Sequence, residues 1–586
     1  MLPRPLLFCV LLCASAPALA GIDVRIRGLG SDEEDNAYAQ IRLLDYAKSV
    51  DASKEPDKLQ YDPAEVQRLF KEGEDEIRKA LQPFGWYNPV ITSRLEGEAP
   101  DWTATYDVVA GPETDITRID IQILGEGKDY APLQKIVARP RLKTGQRLRH
   151  PDYEALKDRL MQAASSGGYL DAQFTRRELR VDVENNTAEV LLTLDTGSRW
   201  YFGEVTIQQD GRLKDSLLRR YLKIVPGEPF DSSKVLATQF ALTDLDYFKL
   251  VEVEPQKGKA GPDRRIPVVI HTASKPPRVY KFGAGYGTDT GPRALAGIEF
   301  RRLNSSGHKL RLTLQPSQNI STAVAEYRIP WGAVPGDAIS FTAQGLKQDF
   351  QGVHENLWSL GGAYSRQAGD WTRRWYLIYS NDRYNLQNEQ GRSSKLLTPG
   401  LSLSTTQVND PIFPRRGWFA YFDVHGGTTV ALSDTDFIEG LVRLRGVYPV
   451  ARGVRLLGRV EEGAVFVSGF DHLPPSQRFF AGGDESVRGY SYHSLAPRDA
   501  QGNLIGGKYL TTGSLELDWD VYKSYGLAVF GDAGGADDTP QVRLHYGAGI
   551  GLRYRLPFGA VAIDLAHPFD SGAEAVRLHL GVRVGL

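Results

Sequence analysis

Cysteine is almost missing from this chain, which has two cysteines among 586 residues, and both lie within the first 20 residues. From residue 21 onward no thiol is available for a disulfide framework, a thiolate metal site or a cysteine nucleophile. An excess of one charge is also missing, because 70 Lys and Arg residues nearly balance 72 Asp and Glu residues. A chain without a basic excess is not expected to bind nucleic acid.

Long apolar runs and catalytic motifs are lacking too. Beyond residue 20, no stretch of about 18 apolar residues could form a membrane-spanning helix. The sequence contains no Gly-x-Ser-x-Gly elbow, no His-Glu-x-x-His pair and no phosphate-binding glycine loop, and its ten histidines are scattered. We therefore expect no enzyme, no metal site and no cofactor. The 60 glycines and 10% aromatic residues instead favour a large β-structure with many turns.

Residues 1–20 have the pattern of a secretory signal peptide. Arg4 gives a positive start, an apolar core follows, and Ala18-Leu19-Ala20 forms a small-x-small cleavage site. We expect an exported protein whose mature chain begins at about residue 21. The alternatives are a buried N-terminal helix and a lipidated Cys13, which the bulky residue before it disfavours.

A repeated unit fills residues 22–275. Each copy opens with an alternating strand, continues with two helical stretches, turns at an aromatic residue and closes with two strands. This βααββ order predicts small α+β modules, each with two helices on one face of a sheet. The predicted boundaries are 1–20 for the signal peptide, 21–113, 114–198 and 199–275 for the three modules, and 276–586 for the remainder.

From residue 276 to residue 586 the pattern is β only. Apolar and polar residues alternate strictly in many short segments, such as Lys309–Gln315 and Ser514–Asp520. The sixteen candidate strands have the spacing of tilted membrane-crossing strands of about 9–11 residues. The sequence thus predicts an all-β, sixteen-stranded antiparallel transmembrane barrel, with a periplasmic sandwich array as the alternative.

A long connection between the strand ending near Phe466 and the strand beginning near Tyr509 contains the segment Val487-Arg488-Gly489-Tyr490. In this context the segment resembles the tip of the sixth extracellular loop in the superfamily of outer-membrane assembly factors that includes BamA and TamA. The resemblance covers essentially the whole mature chain, because the repeats resemble the POTRA domains of that family. It implies that the loop folds back into the barrel.

An arginine drawn into a confined lumen must keep a carboxylate partner, since otherwise its lost hydration is uncompensated. Glu516 lies on the polar face of the next strand, and Phe530 and Asp532 share a face of the strand after it. The resemblance implies that these three residues line the lumen against Arg488. The alternative is that they are ordinary lumen-facing residues without a shared partner.

The first and last strands of the predicted barrel are rich in glycine. Gly283, Gly285 and Gly287 would face inward on the first strand, and Gly581 and Gly585 would face inward on the last. Glycine strands pack weakly, so we expect a weak lateral seam where the two strands meet. An opened seam would expose unpaired backbone groups to which a foreign strand could add. Alternatively, the glycines accommodate barrel curvature.

The end of the chain resembles the C-terminal signal by which outer-membrane barrels are recognised. The residues that carry this likeness are His579, Gly581, Val584 and Leu586. Leu586 departs from the pattern, because the signal ordinarily ends in an aromatic residue. This departure puts the strength of recognition in doubt but not the topology.

Three modules imply a TamA-like member of the family, because BamA-like members usually have five and two-partner secretion transporters have two. The implied function is insertion of autotransporters and other β-barrel clients into the outer membrane of a Gram-negative bacterium. The implied partners are unfolded clients, the lipid bilayer and an inner-membrane-anchored TamB-like protein bound through the first POTRA domain. The alternatives are a two-partner-type transporter that passes polypeptide through the barrel and a passive diffusion porin.

Overall fold

The structure is a computed structural model that describes residues 21–51, 61–99, 101–386, 391–557, 559–570, 576–583 and 585. The predicted signal peptide lies outside the described residues, as do Val584 and Leu586 of the predicted C-terminal signal. The chain divides into two compact units. The first unit consists of residues up to Glu204 with Val225–Ser233 and Gln256–Pro267, and the second consists of Val205–Ile224, Lys234–Pro255 and Val268–Leu586.

Each of the three N-terminal modules is built on a three-stranded sheet, in which the last strand of the module lies between the other two. In the first and second modules the opening strand is parallel to the central one, as a helical crossover requires. The first module has one more helix than the predicted βααββ unit. Its elements are β1 (Ile22–Arg27), α1 (Ser31–Gln40), α2 (Arg42–Asp51), α3 (Pro63–Leu81), β2 (Val90–Glu98) and β3 (Asp101–Val109).

The second and third modules follow the predicted order of elements. The second contains β4 (Asp115–Leu124), α4 (Ala131–Ala138), α5 (His150–Ser166), β5 (Gln173–Asp182) and β6 (Thr187–Asp195). The third contains β7 (Tyr201–Gln209), α6 (Asp215–Arg219), α7 (Ser232–Thr243), β8 (Phe248–Pro255) and β9 (Arg265–Ser274).

Helix α3 forms the largest part of the first module's core. Asp62 caps its start by accepting a hydrogen bond from the Ala64 N–H at 2.9 Å, and Pro63 occupies the first turn, where its missing N–H does no harm. Halfway along the helix, Gly73 lies against the ring of Tyr106, which is fully buried and donates a hydrogen bond to the Phe70 carbonyl at 2.8 Å. The helix therefore approaches the sheet too closely for a larger residue at this position.

The second unit contains the predicted barrel, whose sixteen antiparallel strands each pair with the next along the chain. On the strand from Tyr509 to Tyr522, Leu515 is 63% exposed while Glu516 is 5% exposed, so apolar residues face outward and polar residues face the lumen. The strands are β10 (Arg278–Gly287), β11 (Gly291–Phe300), β12 (Lys309–Gln315), β13 (Ile320–Pro330), β14 (Ala338–Phe350), β15 (Val353–Ala368), β16 (Trp371–Leu386), β17 (Arg392–Val408), β18 (Gly417–Gly427), β19 (Phe437–Ala451), β20 (Val454–Val467), β21 (Tyr509–Tyr522), β22 (Tyr525–Asp537), β23 (His545–Leu556), β24 (Gly559–Pro568) and β25 (Arg577–Arg583).

The predicted fold class of α+β modules followed by a sixteen-stranded barrel is thus confirmed. None of the helices in the described ranges is long and apolar enough to cross a membrane.

The close approach at Gly73 predicts an unusual response to substitution. Gly73→Ala should destabilise the first module by about 1–3 kcal/mol through overpacking against Tyr106, although alanine in a helix is ordinarily about 1 kcal/mol better than glycine. Amide hydrogen exchange of α3 in the whole protein measures the effect. Asp75→Ala, at an exposed position of the same helix, is the control, and equal protection in the two variants would contradict the prediction.

Candidate functional site

The connection between β20 and β21 packs inside the barrel rather than extending from it. Val487 is fully buried and Tyr490 is 8% exposed, and both belong to one apolar cluster with wall residues such as Leu510. Between them, Gly489 has φ +99°, and a Cβ atom there would lie 3.0 Å from the backbone nitrogen of Pro568. Only glycine fits this left-handed conformation in such a close approach to the wall.

Arg488, at the tip of this loop, is 1% exposed and is surrounded by carboxylates. Its Nε and Nη2 donate to the two oxygens of Asp532 at 2.7 and 2.8 Å, and its backbone N–H also donates to Asp532 at 3.0 Å. Its Nη1 donates to Glu516 at 2.7 Å and to Asp564 at 3.0 Å. The carbon between these nitrogens lies 3.3 Å from the ring centroid of Phe530, in the position of a cation–π contact. The structure therefore brings Glu516, Phe530 and Asp532 around Arg488.

Two further residues complete this cluster, and the sequence analysis missed both. Asp564 on β24 and Arg553 on β23 form an ion pair with each other, and Arg553 also donates to Glu516 at 2.7 Å. Asp564 is the one carboxylate on β24 and lies at an inward position. This pattern could have identified it as a lumen residue from the sequence. We call Arg488, Glu516, Asp532, Arg553 and Asp564 the loop lock. Because every charge in it has an opposite partner within hydrogen-bond distance, burial of the whole set is tolerated.

The part of the same loop that precedes the tip makes a second set of contacts, on the opposite side of the lumen. The Ser476 N–H donates to Glu355 on β15 at 2.9 Å, and its hydroxyl donates to Asp382 on β16 at 2.9 Å. The next residue, Gln477, lies 2.8 Å from Nε2 of His425 on β18. No motif in the sequence announced these contacts. The loop is therefore attached to both halves of the wall.

The first and last strands meet at the seam. Within the described residues β10 and β25 do not pair as strands, and one backbone hydrogen bond crosses between them, from the Thr288 N–H to the carbonyl of Leu580 in the middle of β25 at 3.2 Å. The Leu580 N–H donates to the Thr288 hydroxyl at 3.3 Å. Thr288 follows β10 directly, so this contact lies at the loop end of the seam. Among the described residues below it, the edges of the two strands form no ladder.

The predicted seam glycines lie as follows. Tyr280, Phe282 and Tyr286 on β10 are exposed on the outer face, which leaves Gly283, Gly285 and Gly287 on the inner face. Gly581 lies on β25 with its inner face toward Asp484 of the loop.

The prediction for Gly585 was wrong, because this residue does not line the seam. It lies past the end of β25, and its N–H donates to the Ile412 carbonyl at 3.1 Å, in the turn between β17 and β18. Gly585 is therefore bound to this turn rather than to β10.

His579, predicted as part of the C-terminal signal, has its side chain inside the barrel and is 2% exposed. Its Nε2 accepts a hydrogen bond from the Gly489 N–H at 2.9 Å, next to Arg488 in the loop. The last strand is thus in contact with the loop as well as with β24.

Comparisons with protein families and relatives bear on this arrangement. Residues 306–582 match the Omp85 superfamily domain, residues 23–110 match the first POTRA domain of the TamA family, and residues 200–273 match a POTRA family described as a surface antigen variable number repeat.

Two similar curated proteins are outer membrane protein assembly factors named BamA. The one from Nitratidesulfovibrio vulgaris is 24% identical over 431 residues, which cover 70% of this chain and 53% of the relative. The one from Neisseria meningitidis serogroup B is 20% identical over 512 residues, which cover 76% of this chain and 63% of the relative. The chain therefore spans between half and two thirds of the length of these relatives.

Among solved structures, BamA from Haemophilus ducreyi lacking POTRA domains 1–3 superimposes with a TM-score of 0.63 at 17% identity, over 80% of this chain and 99% of that one. This likeness concerns the fold. The barrel lies in the outer membrane, and the POTRA domains lie in the periplasm. The chain thus has a barrel that matches the Omp85 superfamily domain, preceded by modules of which the first and third match POTRA families.

Proposed function

We propose that this protein is an outer-membrane assembly factor of the TamA type, which inserts autotransporters and other β-barrel clients by strand pairing at the seam. The observation that carries the proposal is the seam itself, where two neighbouring strand edges share one backbone hydrogen bond among the described residues. The match of the first module to the TamA family and the assembly-factor names of the relatives support it.

The physical reason lies in the membrane. Backbone N–H and C=O groups left unpaired in lipid are each unfavourable by several kcal/mol, about 2–7 in apolar media. An opened seam therefore binds any strand that can complete its ladder, and a client hairpin that pairs with β10 or β25 satisfies its own edge in the same step. Strand pairing and burial of the client's apolar surface in lipid supply the driving force.

The partner of this protein would be an inner-membrane-anchored TamB-like protein that binds the first POTRA domain. Strand β2 is at one edge of that module's sheet. Val90 on β2 and Val109 opposite it on β3 are 64% and 65% exposed, so an apolar pair lies beside an edge to which a partner strand can add.

A covalent lock across the seam tests the proposal. The Thr288–Leu580 contact sets the register, so Tyr286 and Val582 are the next outward-facing residues on the two strands. The test variant combines Tyr286→Cys with Val582→Cys. Oxidation of the two thiols to a disulfide should abolish client insertion, and reduction of that disulfide should restore it. The measurement is the yield of protease-resistant, membrane-inserted autotransporter.

The matched control joins Leu527→Cys and Leu552→Cys, which are paired and outward-facing on β22 and β23, where the wall is already closed. That disulfide should leave insertion unchanged. Full insertion with the seam locked would rule out the lateral mechanism. Crosslinks from extended soluble polypeptide to lumen residues would favour the two-partner-type transporter instead.

The loop lock predicts a second effect. Arg488→Ala leaves three buried carboxylates without their shared cation, a change of about 3–5 kcal/mol against the seated loop. We expect the loop to become sensitive to protease and client insertion to fall at least tenfold. Arg488→Lys should be intermediate, because it keeps the charge but loses the bidentate contact with Asp532.

Arg498→Ala is the control for this variant, because Arg498 lies in the same loop at an exposed position. It should behave like the parent protein. Unchanged loop protection and unchanged insertion in Arg488→Ala would contradict a role for the lock.

A further inference from the structure

Asp484, four residues before Arg488 in the loop, contacts both sides of the seam. On one side, the Thr288 hydroxyl donates to its carboxylate at 3.0 Å, and its own N–H donates to Asp289 at 2.8 Å. On the other side, Nδ1 of His579 lies 2.5 Å from the same carboxylate. Thr288 and Asp289 belong to the turn after β10, and His579 belongs to β25. One loop side chain therefore bridges the two strands that do not pair with each other.

The hydrogen bonds of His579 fix the direction of this bridge. Its Nε2 accepts from the Gly489 N–H, so the proton of the neutral ring must be on Nδ1, from which it is donated to Asp484. Both ring nitrogens are thus engaged by the loop. The last strand is bound to the loop at two points, Asp484 and Gly489.

The same chemistry distinguishes this bridge from a metal site. Asp289, Asp484 and His579 have ligand atoms within 4.8 Å of one another, as a divalent ion requires. An ion on Nδ1 would force the ring proton onto Nε2, where it would face the Gly489 N–H, donor against donor. The observed contact with Gly489 therefore favours a hydrogen-bonded bridge.

The bridge lies in a partly closed site. It borders a cavity of about 410 Å³ that Thr290, Gly287 and Leu580 also line. Burial and the neighbouring charge of Asp484 raise the pKa of Asp289 to about 6. Water competes poorly for hydrogen bonds in such a place, so the bridge is stronger than the same contacts at an exposed surface.

The bridge is also connected to the loop lock along the chain. Arg459 on β20 donates to the carbonyls of Asp484 and Ser486 at 3.2 and 2.9 Å, which holds the segment leading to Arg488. Gly489, the donor to His579, directly follows Arg488. Withdrawal of the arginine from its carboxylates therefore also removes the Gly489 contact from the last strand.

We propose that Asp484 is a latch: it holds the loop end of the seam closed while Arg488 is seated, so that release of the loop and opening of the seam are one coupled event. The consequence for client insertion rests on the proposed function above. The latch itself is a property of the barrel and is measured without a client.

The test uses the full chain in phosphatidylethanolamine–phosphatidylglycerol bilayers, with Tyr286→Cys and Val582→Cys as a reporter of seam contact. No other cysteine is present after residue 20. The rate of disulfide formation under mild oxidant measures how often the strand edges meet. Asp484→Ala should slow this rate at least fivefold, and Asp484→Asn, which keeps one acceptor oxygen, should slow it less.

Two controls isolate the latch. Glu485→Ala removes the neighbouring carboxylate, which pairs with Arg445 rather than with the seam, and should leave the rate unchanged. The Leu527→Cys and Leu552→Cys pair should form its disulfide at the same rate with or without Asp484. If Asp484→Ala disturbs the loop itself, as shown by lost protease protection, Thr288→Val breaks the bridge from outside the loop. It also removes the direct hydrogen bond from the Leu580 N–H, so it should slow seam closure at least as much.

Coupling is tested by combining the variants. Arg488→Ala should slow the reporter as much as Asp484→Ala, and the double variant should be no slower than either. A rate within twofold of the parent for both Asp484→Ala and Thr288→Val would overturn the latch, as would purely additive effects. Slower closure of the parent in the presence of EDTA would overturn the hydrogen-bonded bridge in favour of a metal.

A different result would contradict the proposed function without contradicting the latch. If clients never crosslink to β10 or β25, strand pairing at the seam is ruled out, but the rates of disulfide formation still report whether Asp484 closes the seam.

Discussion

The arrangement of the barrel depends on one buried arginine. A guanidinium taken out of water is strongly unfavourable unless its donors meet carboxylates in good geometry. Arg488 meets three, and Glu516, Asp532 and Asp564 come from β21, β22 and β24, while Arg553 between them comes from β23. Arg488 therefore ties three strands together through side chains, and Arg553 adds β23 between them, in addition to their backbone ladders. The tie ends at β24, one strand short of the seam.

This limit explains how a stable barrel can be weak at one place. Ladder hydrogen bonds are local, so the pairing of β15 with β16 through sixteen residue pairs does nothing for the edges of β10 and β25. At the seam, glycines on β10 offer little surface for packing, and β25 as described is seven residues long. Besides the two hydrogen bonds between Thr288 and Leu580, the hydrogen bonds described at the seam run through the loop, at Asp484 and Gly489. Closure of the seam is thus a property of the loop more than of the two strands.

The sequence predicted the features that recur along every strand. It predicted fewer of the features that depend on how the strands close into a barrel. Alternation between lipid and lumen recurs along each strand, so the sixteen strands were visible without a structure. Glu516 and Asp532 were assigned to the lumen beside Arg488 through the resemblance to the family. Asp564 was not predicted, because its contact with Arg488 depends on the curvature of the wall that brings β24 close to β22. Gly585 was misplaced because alternation assumes a continuing strand, whereas β25 ends at Arg583 and the Gly585 N–H bonds to the turn between β17 and β18.

The strength of the lock sets the conditions under which the seam can open. If withdrawal of Arg488 without a substitute partner is unfavourable by about 3–5 kcal/mol, and each 1.4 kcal/mol is a factor of ten, the seated loop is favoured by on the order of 10²–10³. Spontaneous opening is then rare, which protects the bilayer from a leaking pore. An arriving strand changes the balance, because each backbone pair it completes in lipid removes an unsatisfied group that is unfavourable by several kcal/mol, about 2–7 in apolar media. On the proposed function, a few such pairs outweigh the lock, so that the barrel opens to a strand that can pair and stays shut to a chain that cannot.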